Sequence, residues 1–217
     1  MNMIQEILRN NIIFIELLCA IFAILNYNKF KDSSWKYFVY YVVFIFIFEF
    51  TGIYILADYI NIKGLYYEYL VIPFQFIFFF WLYAINSLKN TKLFRILLSL
   101  YLIIFTLTHY FEIEKTRIIN EVSYSVGCLF LLVLILLEFI KQIKSDHILN
   151  FKKDTMFFVN LGVSLFYIGT LPFFAFDGFA VENMKILWAN YWTLFLILNY
   201  VLYSIFIIAF IWTKPNT

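Results

Sequence analysis

Seven stretches of about twenty mainly apolar residues follow one another along the chain, parted only by short polar breaks. That spacing restricts the fold more than any other feature. A bilayer core about 30 Å thick is crossed by roughly 20 residues of helix rising about 1.5 Å each. The segments run from about Ile7 to Tyr27, Tyr37 to Ala57, Leu65 to Leu88, Leu93 to Phe111, Ile118 to Ile140, Thr155 to Phe176 and Ile186 to Thr213. Backbone polar groups in hydrocarbon must be satisfied within the protein, and the alternating polarity of a closed barrel is absent, so helices are required. The predicted fold is all-α: a polytopic membrane bundle of seven transmembrane helices.

Composition agrees. Hydrophobic residues make up 64% of the chain and charged ones 14%, against about half and about a quarter in a soluble domain. No linker-like stretch interrupts the 217 residues, which predicts a single transmembrane domain over 1–217. The net charge of +2 excludes a strongly basic face for nucleic acid. Cys19 and Cys128 both fall inside apolar runs without companion ligands and read as packing residues. The apolar run after Arg9 ends in Asn26, Tyr27, Asn28 and Lys29 instead of a small-residue cleavage site, which predicts a retained first span.

Cationic loops resist translocation. Lys29, Lys31, Lys36, Lys89, Lys92, Arg95, Lys141, Lys144, Lys152, Lys153 and Lys214 fall on one side; Arg9, Lys63, Lys115, Arg117 and Lys185 fall on the other, mixed with Glu112, Glu114, Asp177 and Glu182. The expected topology therefore has the N-terminus outside and the C-terminus in the cytoplasm, in a cell inner membrane. Trp35, Trp81 and Trp212 fall toward the inner face, and Trp188 and Trp192 toward the outer one.

Ionisable groups within spans are costly enough to count as functional candidates. Glu16, Glu49, Glu68 and Glu121 lie in the predicted outer half, with Glu49 roughly 12 Å from the outer end of its helix. Shared helix faces add Gln75 beside Glu68; Tyr124, Ser125 and Cys128 beside Glu121; Asn160, Ser164 and Tyr167 in the sixth segment; and Asn199, Tyr200, Tyr203 and Ser204 in the seventh. Together they suggest an outward-facing acidic cavity for a cation, an amine or a polar small molecule. The alternative is interhelical hydrogen bonding that holds the bundle together. Candidate ligand-binding residues are Glu16, Glu49, Glu68, Gln75, Glu121 and Asn199; no catalytic residue, metal ligand or cofactor is expected. Glu138, a turn from Lys141 and Gln142, reads as a solvated helix end.

Enzyme chemistry finds little support. The two histidines, His109 and His147, fall on opposite sides of the membrane and cannot share a zinc. Neither H-E-x-x-H nor G-x-S-x-G occurs. A retinal protein needs a lysine in the middle of its last helix, whereas Lys185 and Lys214 only bracket this one. Pro73 and Pro172 are expected to kink the third and sixth helices.

In the sixth segment, Phe157, Phe158, Val159, Asn160, Leu161 and Gly162 precede Leu165, Phe166, Tyr167, Ile168 and Gly169, with Phe173 and Phe174 after the proline. With the acid of the second segment and Tyr66 to Glu68 opening the third, this pattern resembles a group of uncharacterised seven-helix membrane proteins of the Bacteroidota, often found beside sensor histidine kinases. The resemblance implies a sensory or accessory role and supplies no catalytic residue. The orientation is also similar to that of 3+1+3 sugar transporters; Gly52 and Gly169 are each set among aromatics, but the Pro-Gln dipeptide of those repeats is missing and Pro73, Phe74, Gln75 is the nearest approach. The expected function is a receptor-like or accessory module sensing a small polar ligand or cation. Its expected partners are the lipid bilayer, with a membrane-associated histidine kinase or a second copy of itself, the basic inner loops around Lys141 to Lys153 being the contact surface. A small-solute transporter or channel and a structural assembly protein stand as alternatives.

Overall fold

The computed structural model describes residues 3–110, 121–144, 153–175 and 185–213. Among them, seven helices are long and apolar enough to cross a membrane. They are α1 (Met3–Leu25), α2 (Lys36–Ile55), α3 (Ile60–Ser87), α4 (Thr91–Tyr110), α5 (Glu121–Lys144), α6 (Thr155–Ala175) and α7 (Lys185–Trp212). No described residue forms a strand. These seven spans among the described residues make the chain a multi-pass membrane protein.

The helices close on themselves. α1 packs between α2 and α7, α7 on α6, α6 on α5, and α5 on α3. α3 returns to α2 through ring stacking, with Tyr41 and Phe78 4.0 Å apart and 7° from parallel and Tyr37 edge-on to Trp81 at 5.4 Å. α4 stands outside this ring against α3 and α5 and is the least buried of the seven. Lipid tails are as apolar as leucine, so helices associate by close packing and polar ties. Gly162 and Gly169, two turns apart on one face of α6, let Leu202, Ile205 and Leu198 of α7 approach closely. Phe14, Phe44, Ile103, Leu136, Ile168 and Ile197 point outward, as a lipid-facing surface requires.

Polar ties fasten both ends. At the N-terminal end, Gln5 donates to the Ala189 carbonyl and the Thr193 hydroxyl, each at 2.8 Å, and the Tyr200 hydroxyl donates to the Leu8 carbonyl. At the other end the Lys29 ammonium donates to the carbonyls of Phe210 and Ile211, where the unsatisfied C-terminal groups of α7 favour a cation. Trp35 lies at this end as expected, but it is buried against Phe38. Cys19 and Cys128 are buried free thiols.

α3 begins five residues before the sequence suggested and contains two π-helical stretches, Tyr67–Val71 and Trp81–Ser87. A third, Thr51–Ile55, ends α2. The first stretch in α3 immediately precedes Pro73. Proline lacks an N–H and its ring presses on the carbonyl four residues back; a wider turn moves that carbonyl aside. The helix therefore continues through Pro73 by a local change of winding. Pro172 is likewise inside a continuing helix.

Glu138 is not the solvated helix end expected of it. It is 1% exposed and accepts hydrogen bonds from Ser87 Oγ at 2.6 Å and Gln142 Nε2 at 3.0 Å, while Lys141 donates to Ser87. The end of α3 thus satisfies the carboxylate of α5. The turn beyond it places Lys89 at φ 53°, and Asn90 Oδ1 accepts from the Leu93 N–H at 2.9 Å to cap α4. Asn90→Ala should lower stability by about 1 kcal/mol, read as a reduced midpoint in SDS-induced unfolding.

Candidate functional site

The ring of helices encloses a cavity of about 320 Å³ in the half of the bundle that holds the N-terminus. Every helix except α4 contributes to its wall. α3 supplies Lys63, Tyr67, Val71, Ile72, Gln75 and Phe79, and α7 supplies Trp192, Phe195, Asn199, Leu202, Tyr203 and Phe206. On α7 the steps of three and four are those of an ordinary helix face. On α3 the residues at 63, 67, 71, 75 and 79 recur every four, a longer repeat consistent with the wide turn at Tyr67–Val71.

Of the six candidate residues, Glu16, Glu49, Gln75 and Asn199 line this cavity. Glu16 is 3% exposed, and its Oε2 has no hydrogen-bond partner; the Tyr203 hydroxyl faces the same carboxyl. Glu49 accepts from the Tyr67 hydroxyl at 2.7 Å. Asn199 turns its amide nitrogen back to the Phe195 carbonyl. Most of the remaining wall is aromatic, Tyr41, Phe79, Phe166, Tyr167, Trp192 and Phe195 among it, with Ile12, Val71, Ile72 and Leu202 between. Trp188 and Trp192 stack 9° from parallel, and Trp192 stacks in turn on Phe195.

Glu68 does not join the other acids. It turns to α4, where His109 Nε2 lies 2.9 Å from its Oε1. The imidazole is held by the Phe105 carbonyl at 2.6 Å and lies against Phe105 and Tyr69. Neighbours in sequence, Tyr67 and Glu68 diverge by about 100° around a helix, which sends one to the cavity and the other to α4. Glu121 begins α5, and its side chain lies outside the described residues, as does His147. On the polar face of α5, Tyr124 reaches the cavity wall and Cys128 is buried. In α6, Tyr167 lines the cavity, while Asn160 accepts from Tyr83 at 2.9 Å. Ser204 faces outward, so the expected polar face of α7 is narrower than its residues implied.

Lys63 corrects the sequence reading most. Counted as a residue of an outer loop, it lies in the first turn of α3 and lines the cavity. The site therefore carries one lysine amine with two carboxyl groups. The four-residue spacing of Lys63, Tyr67, Val71 and Gln75 was the signal for it. Among the described residues no group of His, Cys, Asp and Glu could hold a metal ion. No family model, curated protein or solved structure matches the chain.

Gly52 sets the position of Tyr67. A Cβ at Gly52 would meet the Tyr67 hydroxyl and stand 2.8 Å from ring carbons Cε2 and Cζ, too close for a rigid ring to tolerate. Gly52→Ala should destabilise the protein by about 1–3 kcal/mol through overpacking and push the hydroxyl away from Glu49. In a Tyr67→Ala background the same substitution should cost far less, which a double-mutant cycle on thermal unfolding measures.

Proposed function

We propose that the protein recognises a small organic cation in this cavity, as a receptor-like or accessory component of a cell inner membrane. The observation that carries the reading is Glu16: a carboxylate oxygen without a partner, deep among helices, facing a cavity walled by aromatic rings. A buried charge needs a counter-charge, and an ammonium satisfies the carboxylate while lying against ring faces. Glu49, already bonded to Tyr67, adds to the attraction and fixes one wall. The cavity volume falls at the lower end of the range for small-molecule sites.

The charge asymmetry of the loops supports an N-terminus outside and a C-terminus in the cytoplasm, which opens the cavity half of the bundle to the exterior. Sensing then means that occupancy alters the basic inner end, including Lys141, for a partner to read. The resemblance to seven-helix Bacteroidota proteins read from the sequence alone favours a histidine kinase in that role; self-association is the other route. A second reading, a 3+1+3 solute transporter, is favoured by α4, which stands apart from the ring between two sets of three helices. Uptake of a labelled amine into proteoliposomes separates it from a receptor.

Glu16→Gln should weaken binding of phenylethylamine at least tenfold, a loss of about 1.4 kcal/mol, while the variant still folds; calorimetric titration of purified protein checks this. Unchanged affinity would refute the proposal. For topology, a cysteine in place of Asn61 should react with an impermeant thiol reagent added to whole cells. One in place of Lys92 should react only after the cells are opened.

A further inference from the structure

Lys63 is as unusual as Glu16. Its ammonium belongs to a half-buried side chain on the cavity wall, and no ion pair ties it to a carboxylate among the described residues. Glu49 feels its charge, yet the hydrogen bond on Glu49 comes from Tyr67. One cavity therefore faces an amine without an ion pair and a carboxyl oxygen without a hydrogen-bond partner. They are also at different depths. Lys63 is three residues into α3, about 5 Å along its axis, while Glu16 is thirteen residues into α1, about 20 Å along. Were their purpose mutual neutralisation, the long lysine side chain would reach an acid within bonding distance, because an unpaired charge inside a membrane bundle is costly.

We infer that the ligand of this cavity is a zwitterion of the amino-carboxylate class, its ammonium held at Glu16 and its carboxylate at Lys63. The inference rests on the cation site proposed above and adds the anionic end. A dipolar ligand gives both groups a partner at once without adding net charge to the cavity. Its body lies along Phe79, Phe166, Tyr167 and Trp192, which suits an apolar or aromatic side chain. Gln75, fifteen residues into α3 and so about level with Glu16, can accept from the ammonium through its amide oxygen.

Three probes of one shape test this: phenylalanine, phenylethylamine, which lacks the carboxylate, and phenylpropionate, which lacks the ammonium. Calorimetric titration of the full chain in detergent should show phenylalanine binding at least tenfold more tightly than phenylethylamine, with phenylpropionate weakest. Lys63→Gln should abolish the preference for phenylalanine and leave phenylethylamine affinity within about twofold; Lys63→Arg should restore the preference. If phenylethylamine binds as tightly as phenylalanine, or Lys63→Gln leaves the preference intact, the zwitterion assignment is wrong and the cation site stands. If no probe binds, or Glu16→Gln leaves all affinities at their wild-type values, the cation site itself fails and this inference with it.

Discussion

A carboxylate inside a membrane bundle must find a donor or a counter-charge, and the arrangement of this protein follows from how each one does so. Glu49 of α2 is met by a phenol from α3, Glu68 of α3 by an imidazole from α4, and Glu138 of α5 by a hydroxyl at the end of α3. Each tie joins a different pair of helices, and α3 takes part in all three. With little hydrophobic force to drive helices together in lipid, such ties specify which helices become neighbours. Aromatic stacking between α2 and α3 then fills the space they define.

Against that background Glu16 is an exception with meaning. It is nearly as buried as Glu138 and more buried than Glu49 or Glu68, yet one of its oxygens has no donor. An apolar residue of similar volume would serve the fold at least as well, because a half-satisfied buried polar group weakens it. The proposed ligand would supply that missing partner at the cavity, which Lys63 also lines.

The seven helices were legible because an apolar run of twenty residues has few other uses, and their limits differ from expectation by only a few positions except at the start of α3. The cavity was partly legible. Glu16, Glu49, Gln75 and Asn199 share it, since polar groups in spans turn inward. Glu68 was misplaced because charge alone does not say which of two faces a residue takes, and the histidine that claims it is forty-one residues away. Glu138 was misjudged because Lys141 and Gln142 suggested water nearby, whereas Ser87 of another helix closes over it. Lys63 was assigned to a loop by counting charges, a rule about translocation that is silent on where a helix begins.

The π-helical stretches of α3 carry an implication for how one helix serves three neighbours. Relative to an α-helix, a π turn inserts one residue, and one residue is about 100° of rotation. Everything beyond such an insertion is out of phase with what precedes it. With one stretch at Tyr67–Val71 and another closing the helix at Trp81–Ser87, α3 is in effect two α-helical pieces, Ile60–Tyr66 and Ile72–Phe80, each followed by a wide turn. The first piece and its wide turn present Lys63 and Tyr67 inward and Glu68 to α4, the second piece stacks Phe78 on α2, and the closing wide turn delivers Ser87 to α5. An uninterrupted α-helix of the same sequence could not hold all these headings at once, so the phase of this one helix connects the enclosed space to the basic end of the bundle.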